Sequence, residues 1–320
     1  MTNHDPSIGQ PLLSIVTPTR GSFSETWYRA LGEIRGEVEF VIVFPPQAQA
    51  PSLEDPRFKC VVSPFQGEVM QRLVGLLNAS GCYVLALDDD DFVHPDIAVA
   101  TGVYFTRFPE SWVLRLMTEN LLHDDIGGIT RPWDEFPDLA AAPVITALAF
   151  LAGSHPQAPE NYLLELPIAP LRRRFDVWQL LWPPRQRRDM RGVHSENFTN
   201  RVWSAARLRP VLIDLVDALS VTGPLRLIPA WSLDRLLGLY VQAYHFEPEH
   251  TIGHWVRGLS QIRRVHRPEM MKETRSHFVA DGLLARRFPQ YGYFWNLAVW
   301  AFYREISRTA RRRFSRSNSG

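Results

Sequence analysis

The sequence predicts an α/β fold in which a mainly parallel sheet is flanked by helices, with a helical extension at the C-terminal end. Three observations predict it. Short apolar runs alternate with segments of helical spacing through residues 12–105. These runs are apolar on both faces, as strands inside a parallel sheet are. Aliphatic and aromatic residues then recur at helical spacing near the end of the chain.

The first third of the chain contains the clearest elements. We predict strands over 12–17, 38–44, 58–62 and 82–87. Helices are predicted over 25–34, 68–78 and 97–105. Ser24 is a suitable N-cap for the first helix. On the second, Val69, Leu73, Leu76 and Leu77 are expected on the buried side.

The rest of the chain is less regular. We predict strands over 112–117 and 225–229, and helices over 144–151, 208–219, 232–244, 270–288 and 293–313. Residues 124–142 look irregular because of their glycines and prolines. Residues 156–184, rich in proline and arginine, are expected to form a mobile insertion. The pattern is weak over 247–269.

Composition excludes several classes of protein. Of the 320 residues, 45% are hydrophobic and 22% charged, an ordinary globular balance. A net charge of +1 gives no general field for nucleic acid. The two cysteines, Cys60 and Cys82, form no metal-binding or disulfide motif. The first residues lack the pattern of a signal peptide. No apolar run approaches the roughly 20 residues that a membrane-spanning helix needs. We therefore expect a cytoplasmic protein, with the inner face of the membrane as an alternative location.

Four consecutive carboxylates, Asp88–Asp91, follow the apolar run over 82–87. Ligands bind at the carboxyl ends of strands in open α/β sheets. Mg²⁺ and Mn²⁺ take oxygen ligands and share them with substrate phosphates. In an extended segment Asp88 and Asp90 point to one side. The pattern predicts an Mn²⁺ or Mg²⁺ site; the alternative is an acidic turn in which Asp91 caps the next helix.

Three stretches together resemble the family 2 glycosyltransferases, which have the GT-A fold. They are Leu13–Arg20, Gln71–Leu76, and Tyr83–Asp91 with the following Pro95. The resemblance implies a Rossmann-like sheet and a metal-dependent, inverting transfer of sugar from a nucleotide-sugar donor to a saccharide or lipid-linked acceptor. One departure is that the second strand ends in Pro45-Pro46, where the family commonly has an acid that contacts the base.

The resemblance also implies roles for individual residues. Those expected to bind the donor are Thr17, Pro18, Arg20, Arg72, Asp88 and Asp89. Those expected to bind the metal are Asp88, Asp90 and, as a late additional ligand, His254. From the residues alone, Arg20 and Arg72 are equally explained as solvated surface charges. His250 and His254 would share one face of a helix, or be unliganded surface residues.

Inverting transfer needs a carboxylate that takes the proton from the acceptor hydroxyl. We expect Asp234, at the start of the helix predicted over 232–244, to be this base. Glu196, in His194-Ser195-Glu196, is the alternative. Each acid also has a purely structural interpretation, in which Asp234 stabilises the first turn of its helix and Glu196 is a solvated loop acid.

These inferences give a domain plan: a flexible N-terminus over 1–10, a nucleotide-sugar-binding half over 11–120, an acceptor half with an insertion over 121–260, and C-terminal helices with a basic tail over 261–320. The aromatic helix before that tail could make a peripheral membrane contact, although packing on the core is favoured. Two rival functions stay open. A nucleotidyltransferase would normally have a Gly-rich first loop, and a GT-A-like module could bind without catalysis.

Overall fold

A computed structural model describes residues 10–152, 160–171, 174–181, 193–219, 228–266 and 277–317. The chain divides into two compact units. The sheet unit comprises the described residues within 1–167, 198–214 and 251–272. The helical unit comprises those within 168–197, 215–250 and 273–320.

The described strands all lie in the sheet unit. In chain order they are β1 Leu13–Pro18, β2 Val38–Phe44, β3 Phe58–Val62, β4 Tyr83–Ala86, β5 Phe92–Val93, β6 Val113–Arg115, β7 Thr118–Leu122, β8 Val144–Ile145, β9 Tyr162–Pro167, β10 Arg201–Ser204, β11 Thr251–Arg257 and β12 Ile262–His266. The helices are α1 Glu25–Gly32, α2 Glu68–Asn78, α3 Ile97–Arg107, α4 Ile126–Thr130, α5 Ala147–Leu151, α6 Val177–Leu181, α7 Ala205–Leu219, α8 Ala230–Tyr244, α9 Phe278–Arg287 and α10 Gly292–Ser317.

The large sheet has nine strands in the order β3-β2-β1-β4-β10-β6-β11-β9-β8. Five of its neighbouring pairs are parallel, and the antiparallel pairs are those of β10 with β4 and β6, and of β11 with β9. A smaller sheet has the order β5-β12-β7. The predicted α/β class with a mainly parallel sheet is confirmed. From β1 the chain proceeds to β2 and β3 on one side and returns to β4 on the other, which creates a switch point between β1 and β4.

The elements that the sequence predicts best are those with a clear hydrophobic pattern. β2, β3 and α2 begin and end where the sequence places them. β2 is buried along nearly its whole length because it is an interior strand. Ser24 caps α1 by accepting from the Trp27 amide. One prediction for α2 is wrong, since Leu77 is 51% exposed.

Predictions for the less regular segments are wrong in several places. The expected mobile insertion over 156–184 contains β9, whose Leu163, Leu164 and Leu166 are buried in the large sheet. The region of weak pattern over 247–269 contains β11 and β12. The helix predicted over 144–151 is a two-residue strand followed by the short helix α5. Residues 220–227, in which most of the strand predicted over 225–229 falls, lie outside the described residues, and so do 1–9 and 267–276.

The helical unit contains α10, whose first half is packed. Tyr293, Phe294 and Leu297 are buried, and this half lies against α9. Trp295 and Phe302 are nearly half exposed. The favoured interpretation of a packed helix is confirmed for this part, and peripheral membrane contact stays a prediction. Among the described helices, none is both long enough and apolar enough to cross a membrane.

Candidate functional site

The switch point of the large sheet brings together the ends of β1 and β4. Thr17, Pro18 and Arg20 are at the end of β1 and just after it, and Asp88 follows β4. Thr17 is fully buried, and its hydroxyl has no hydrogen-bond partner among the described residues. A buried polar group without a partner is costly, and an ion or a ligand is one kind of group that can supply the missing bond.

Gln71 fixes the loop that follows β1. Its side-chain amide on α2 donates to the carbonyl oxygen of Thr19 at 2.6 Å and to that of Val43 at 2.8 Å. The residue is 5% exposed, so both bonds are shielded from water. The amide therefore ties the ends of β1 and β2 to the first turns of α2.

Arg72, one residue further along α2, is also buried, with 4% of its surface exposed. Its guanidinium forms an ion pair with the Asp88 carboxylate and lies 3.5 Å from a carboxylate oxygen of Glu68. A buried charge needs such partners because it has lost its hydration. The alternative of a solvated surface charge is wrong for Arg72. Asp88, in contrast, keeps 39% of its side chain exposed.

Asp91 is the most enclosed of the four aspartates, at 1% exposure. Its carboxylate accepts from the Val265 amide at 3.2 Å and lies 3.4 Å from the Arg264 guanidinium, while its carbonyl oxygen accepts from the Trp27 indole at 2.9 Å. Burial, and then the charge of Asp88, raise the pKa of Asp91 well above its usual range. α3 begins at Ile97 with Asp96 in the capping position, so the alternative in which Asp91 caps that helix is wrong.

Asp89 is partly buried, whereas Asp90 is exposed. Burial, followed by the charges of Asp88 and Asp89, raises the pKa of Asp90 to about 6. Burial also raises the pKa of Asp89. Hydrogen bonds from the Thr19 side chain and the Arg20 amide lower it, but their effect is smaller. The loop thus holds several carboxylates close together and partly out of water. A cation is the group that relieves their mutual repulsion.

The aspartates fit a hard divalent cation that needs few protein ligands. The described part of the chain contains no cluster of three or more His, Cys, Asp or Glu side chains arranged around one metal position. Mg²⁺ commonly binds through one or two carboxylates and completes its coordination with water and substrate phosphates. Asp88 and Asp90 could supply those carboxylates, but a complete protein cage is not present among the described residues.

His254 lies in β11, so the prediction that it shares a helix face with His250 is wrong. The residue is 6% exposed, which also rules out the surface alternative for it. Its Nδ1 is 2.9 Å from the Tyr104 hydroxyl. Burial, and then the charge of Arg107, lower the pKa of His254 to about 4. Its proposed metal role gains no support from these contacts.

The candidate bases both lie in the helical unit. α8 begins at Ala230, so Asp234 is in the second turn and does not stabilise the first one. Glu196 is not a solvated loop acid: its carboxylate accepts from the Tyr293 hydroxyl and lies 3.3 Å from the Arg235 guanidinium. Contacts of this kind hold a carboxylate in place and occupy its lone pairs.

Sequence reasoning missed the buried ion pairs around Arg235. Its Nε lies 3.2 Å from the carboxylate of Asp281, which is 1% exposed. The signal that could have found them is an acid and a glycine inside the otherwise apolar start of α9, Phe278-Val279-Ala280-Asp281-Gly282. Gln71 was missed as well, because its role depends on backbone carbonyls that only the folded sheet brings near.

No protein-family model matches the sequence, and no curated protein matches it. Among solved structures, the chain is similar to TarS from S. aureus. The UDP complex of TarS residues 1–349 has 15% identity and a TM-score of 0.44, over 86% of this chain and 70% of the other. The UDP-GlcNAc complex has 15% identity and a TM-score of 0.46, over 86% and 66%. A longer TarS structure is covered over 42% of its length.

Proposed function

We propose that the protein is a metal-dependent glycosyltransferase that moves a sugar from a nucleotide-sugar donor to a saccharide or lipid-linked acceptor, with inversion. The observation that carries the proposal is the aspartate loop at the β1–β4 switch point, next to the buried Thr17 hydroxyl, which has no partner in the described part of the chain. Switch points of open α/β sheets are where nucleotides bind.

The donor would be held by residues from both strand ends. Arg72, which is buried, fixes the orientation of the more exposed Asp88 through their ion pair. Asp88 and Asp90 would hold Mn²⁺ or Mg²⁺, which as a Lewis acid offsets the charge of a departing diphosphate. Arg20 and the Thr17 hydroxyl are proposed to bind the donor. Asp89 is proposed to contact it from the loop that Thr19 and Arg20 stabilise.

Asp234 is proposed as the general base. Glu196, the alternative, is engaged by Tyr293 and Arg235. A guanidinium and a phenol therefore hold the Glu196 carboxylate in a fixed position. Its contacts favour a role in holding α8 and α10 in the helical unit.

The proposal is tested by the release of nucleoside diphosphate from a panel of nucleotide sugars, including UDP-GlcNAc, with crude saccharide and lipid acceptors. We expect turnover with Mn²⁺ or Mg²⁺ that stops with a chelator. Asp234→Asn should lower the rate by roughly 10²–10⁴-fold, the usual contribution of a general base. Glu196→Gln should lower thermal stability more than rate.

Two results would contradict the proposal. Tight nucleotide binding without turnover of any donor would favour a non-catalytic module. Transfer of the nucleotidyl group instead of the sugar, visible as pyrophosphate release from a nucleoside triphosphate, would favour a nucleotidyltransferase.

A further inference from the structure

The four consecutive aspartates form one tight turn. The Asp91 amide donates to the carbonyl oxygen of Asp88 at 3.2 Å, which closes a β-turn with Asp89 and Asp90 at its two central positions. The two residues proposed to hold the metal, Asp88 and Asp90, are therefore the first and third residues of the same turn. The orientation of their carboxylates depends on how the two ends of this turn are held.

The first end of the turn is held by α2 and by the large sheet. The Asp88 carboxylate forms an ion pair with Arg72, which is buried and lies 3.5 Å from a carboxylate oxygen of Glu68 as well. Asp88 also follows β4 closely, and β4 pairs with β1 inside the large sheet. This end of the turn is thus attached to two elements of the sheet unit.

The last end of the turn is held by Asp91, through its side chain and its backbone. The carboxyl group accepts from the Val265 amide at 3.2 Å and lies 3.4 Å from the Arg264 guanidinium. The carbonyl oxygen accepts from the Trp27 indole at 2.9 Å. Asp91 is buried, so water does not compete for these bonds. They attach the turn to β12 on one side and to α1 on the other.

The register of the small sheet explains why Asp91 is placed there. β5 and β12 are antiparallel, with Phe92 opposite Arg263. Continuing this register by one residue places Asp91 opposite Arg264, just before β5 begins. The ladder stops at this point because the chain turns away. The Asp91 carboxyl group then supplies the Val265 amide with the acceptor that a longer β5 would have supplied from its backbone.

β12 is itself a fixed point of attachment. It is the central strand of the small sheet, between β5 and β7. Arg263 is buried and donates to three carbonyl oxygens of one loop, those of Ile129, Arg131 and Pro132, at 3.0, 2.6 and 3.0 Å. Its guanidinium carbon lies 3.8 Å from the centre of the Trp133 ring. A strand that is paired on both edges and carries a buried arginine gives the turn little freedom to shift.

We propose that Asp91 is a positioning residue: it fixes the last end of the turn on β12 and so holds Asp88 and Asp90 in the orientation in which they bind the metal ion. The inference rests on the proposed function and adds to it the residue that sets the geometry of the metal ligands. Both carboxyl oxygens of Asp91 are engaged by β12, so Asp91 is not assigned as a ligand. Loss of a group that orients metal ligands commonly lowers metal affinity by roughly 10–100-fold.

Titration of the full chain with Mn²⁺, with free Mn²⁺ measured by electron paramagnetic resonance, tests the proposal. Asp91→Leu removes both acceptor oxygens, and the Mn²⁺ affinity should fall by at least about tenfold. Asp91→Asn keeps one oxygen that can accept from the Val265 amide, so its affinity should lie between those of the wild type and Asp91→Leu. Arg264→Gln leaves that amide bond in place and should weaken Mn²⁺ binding less than Asp91→Leu does.

Asp55→Asn is the matched control. The Asp55 carboxylate likewise accepts from a backbone amide, that of Arg57, and pairs with the guanidinium of the same residue. It precedes β3, at the edge where the parallel strands β1 to β4 begin, whereas the aspartate turn lies where they end. Asp55→Asn should therefore lower the melting temperature but leave the Mn²⁺ affinity within about twofold of the wild type.

The spectrum of bound Mn²⁺ distinguishes positioning from a general loss of stability. We expect broader lines in Asp91→Asn than in the wild type, because the ligands are held less firmly, and unchanged lines in Asp55→Asn. Should Asp91→Leu not fold, Asp91→Asn and Arg264→Gln decide the question. Wild-type affinity and lines in Asp91→Asn and Arg264→Gln, or an equal loss of affinity in Asp55→Asn, would overturn the inference and leave the proposed function standing. A wild type that binds no Mn²⁺, alone or with a nucleoside diphosphate, would overturn both.

Discussion

His254 gives a prediction that can be worked out from its surroundings. The ring is buried in β11, hydrogen-bonded to Tyr104 and near Arg107, and its pKa is lowered to about 4 from an ordinary 6.5. A histidine with a lowered pKa in the folded state stabilises the fold fully above pH 6.5. That stabilisation is lost as the pH falls from 6.5 towards 4, because the unfolded chain takes up a proton that the folded chain does not.

The size of the effect follows from the two pKa values. Between pH 7.5 and pH 5.5 the linkage relation gives a loss of about 1 kcal/mol in the free energy of unfolding. Many side chains titrate over the same range, so the comparison is with His254→Gln, which keeps a hydrogen-bonding partner for Tyr104. Urea denaturation at the two pH values should show that the free energy of unfolding of the wild type falls by about 1 kcal/mol more than that of the variant.

A proton NMR titration measures the same quantity directly. The His254 ring signal, assigned by its absence from His254→Gln, should not shift above about pH 5, since its pKa is displaced well below that of a free histidine. A midpoint near about 6.5, or equal loss of stability in wild type and variant, would refute the reasoning and the burial on which it depends.

Three further predictions concern stability. Arg235→Met removes the guanidinium beside the buried Asp281 and should lower the free energy of unfolding by about 3–5 kcal/mol; a loss under about 1 kcal/mol in urea denaturation would contradict this. At Gly282 an added Cβ atom meets no described atom within 4 Å, so Gly282→Ala should stabilise α9 by about 0.5–1 kcal/mol, and equal melting temperatures would contradict the packing. Gln71→Leu removes donors from two buried carbonyls and should cost about 2–4 kcal/mol by denaturation; an unchanged midpoint would contradict it.

The sequence predicts the elements whose signal is local. β2 and α2 consist of apolar residues at the spacing of a buried strand and an amphipathic helix, so their ends are readable. β11 contains His254 and Arg257 among its apolar residues, and this mixture hides the strand. In the fold, His254 contacts Tyr104 and Arg257 stacks on Trp255. Contacts of this kind accommodate polar side chains inside the strand, and the local sequence pattern does not reveal them.

In the candidate site, too, local sequence patterns predict some features, whereas others depend on contacts between distant residues. The position of the aspartates follows from the apolar run before them, and the structure places them at the switch point. The environment of Asp91 depends on Arg264 and Val265, 173 and 174 residues away. Such contacts are set by the topology of the small sheet, in which β5 and β12 pair, and no local pattern specifies them.

The central claim is that the aspartate loop binds a divalent cation together with a nucleotide. Calorimetric titration of uridine, guanosine, thymidine and adenosine diphosphates, with Mn²⁺ and with a chelator, tests it most directly. We expect at least one nucleotide to bind only with Mn²⁺. Asp90→Asn should weaken the binding of that nucleotide by at least about tenfold, the loss of one charged contact. Asp124→Asn, at an exposed position, should have no effect. Nucleotide binding that is equally tight with the chelator or in Asp90→Asn, or no binding of any of the four, would contradict the account.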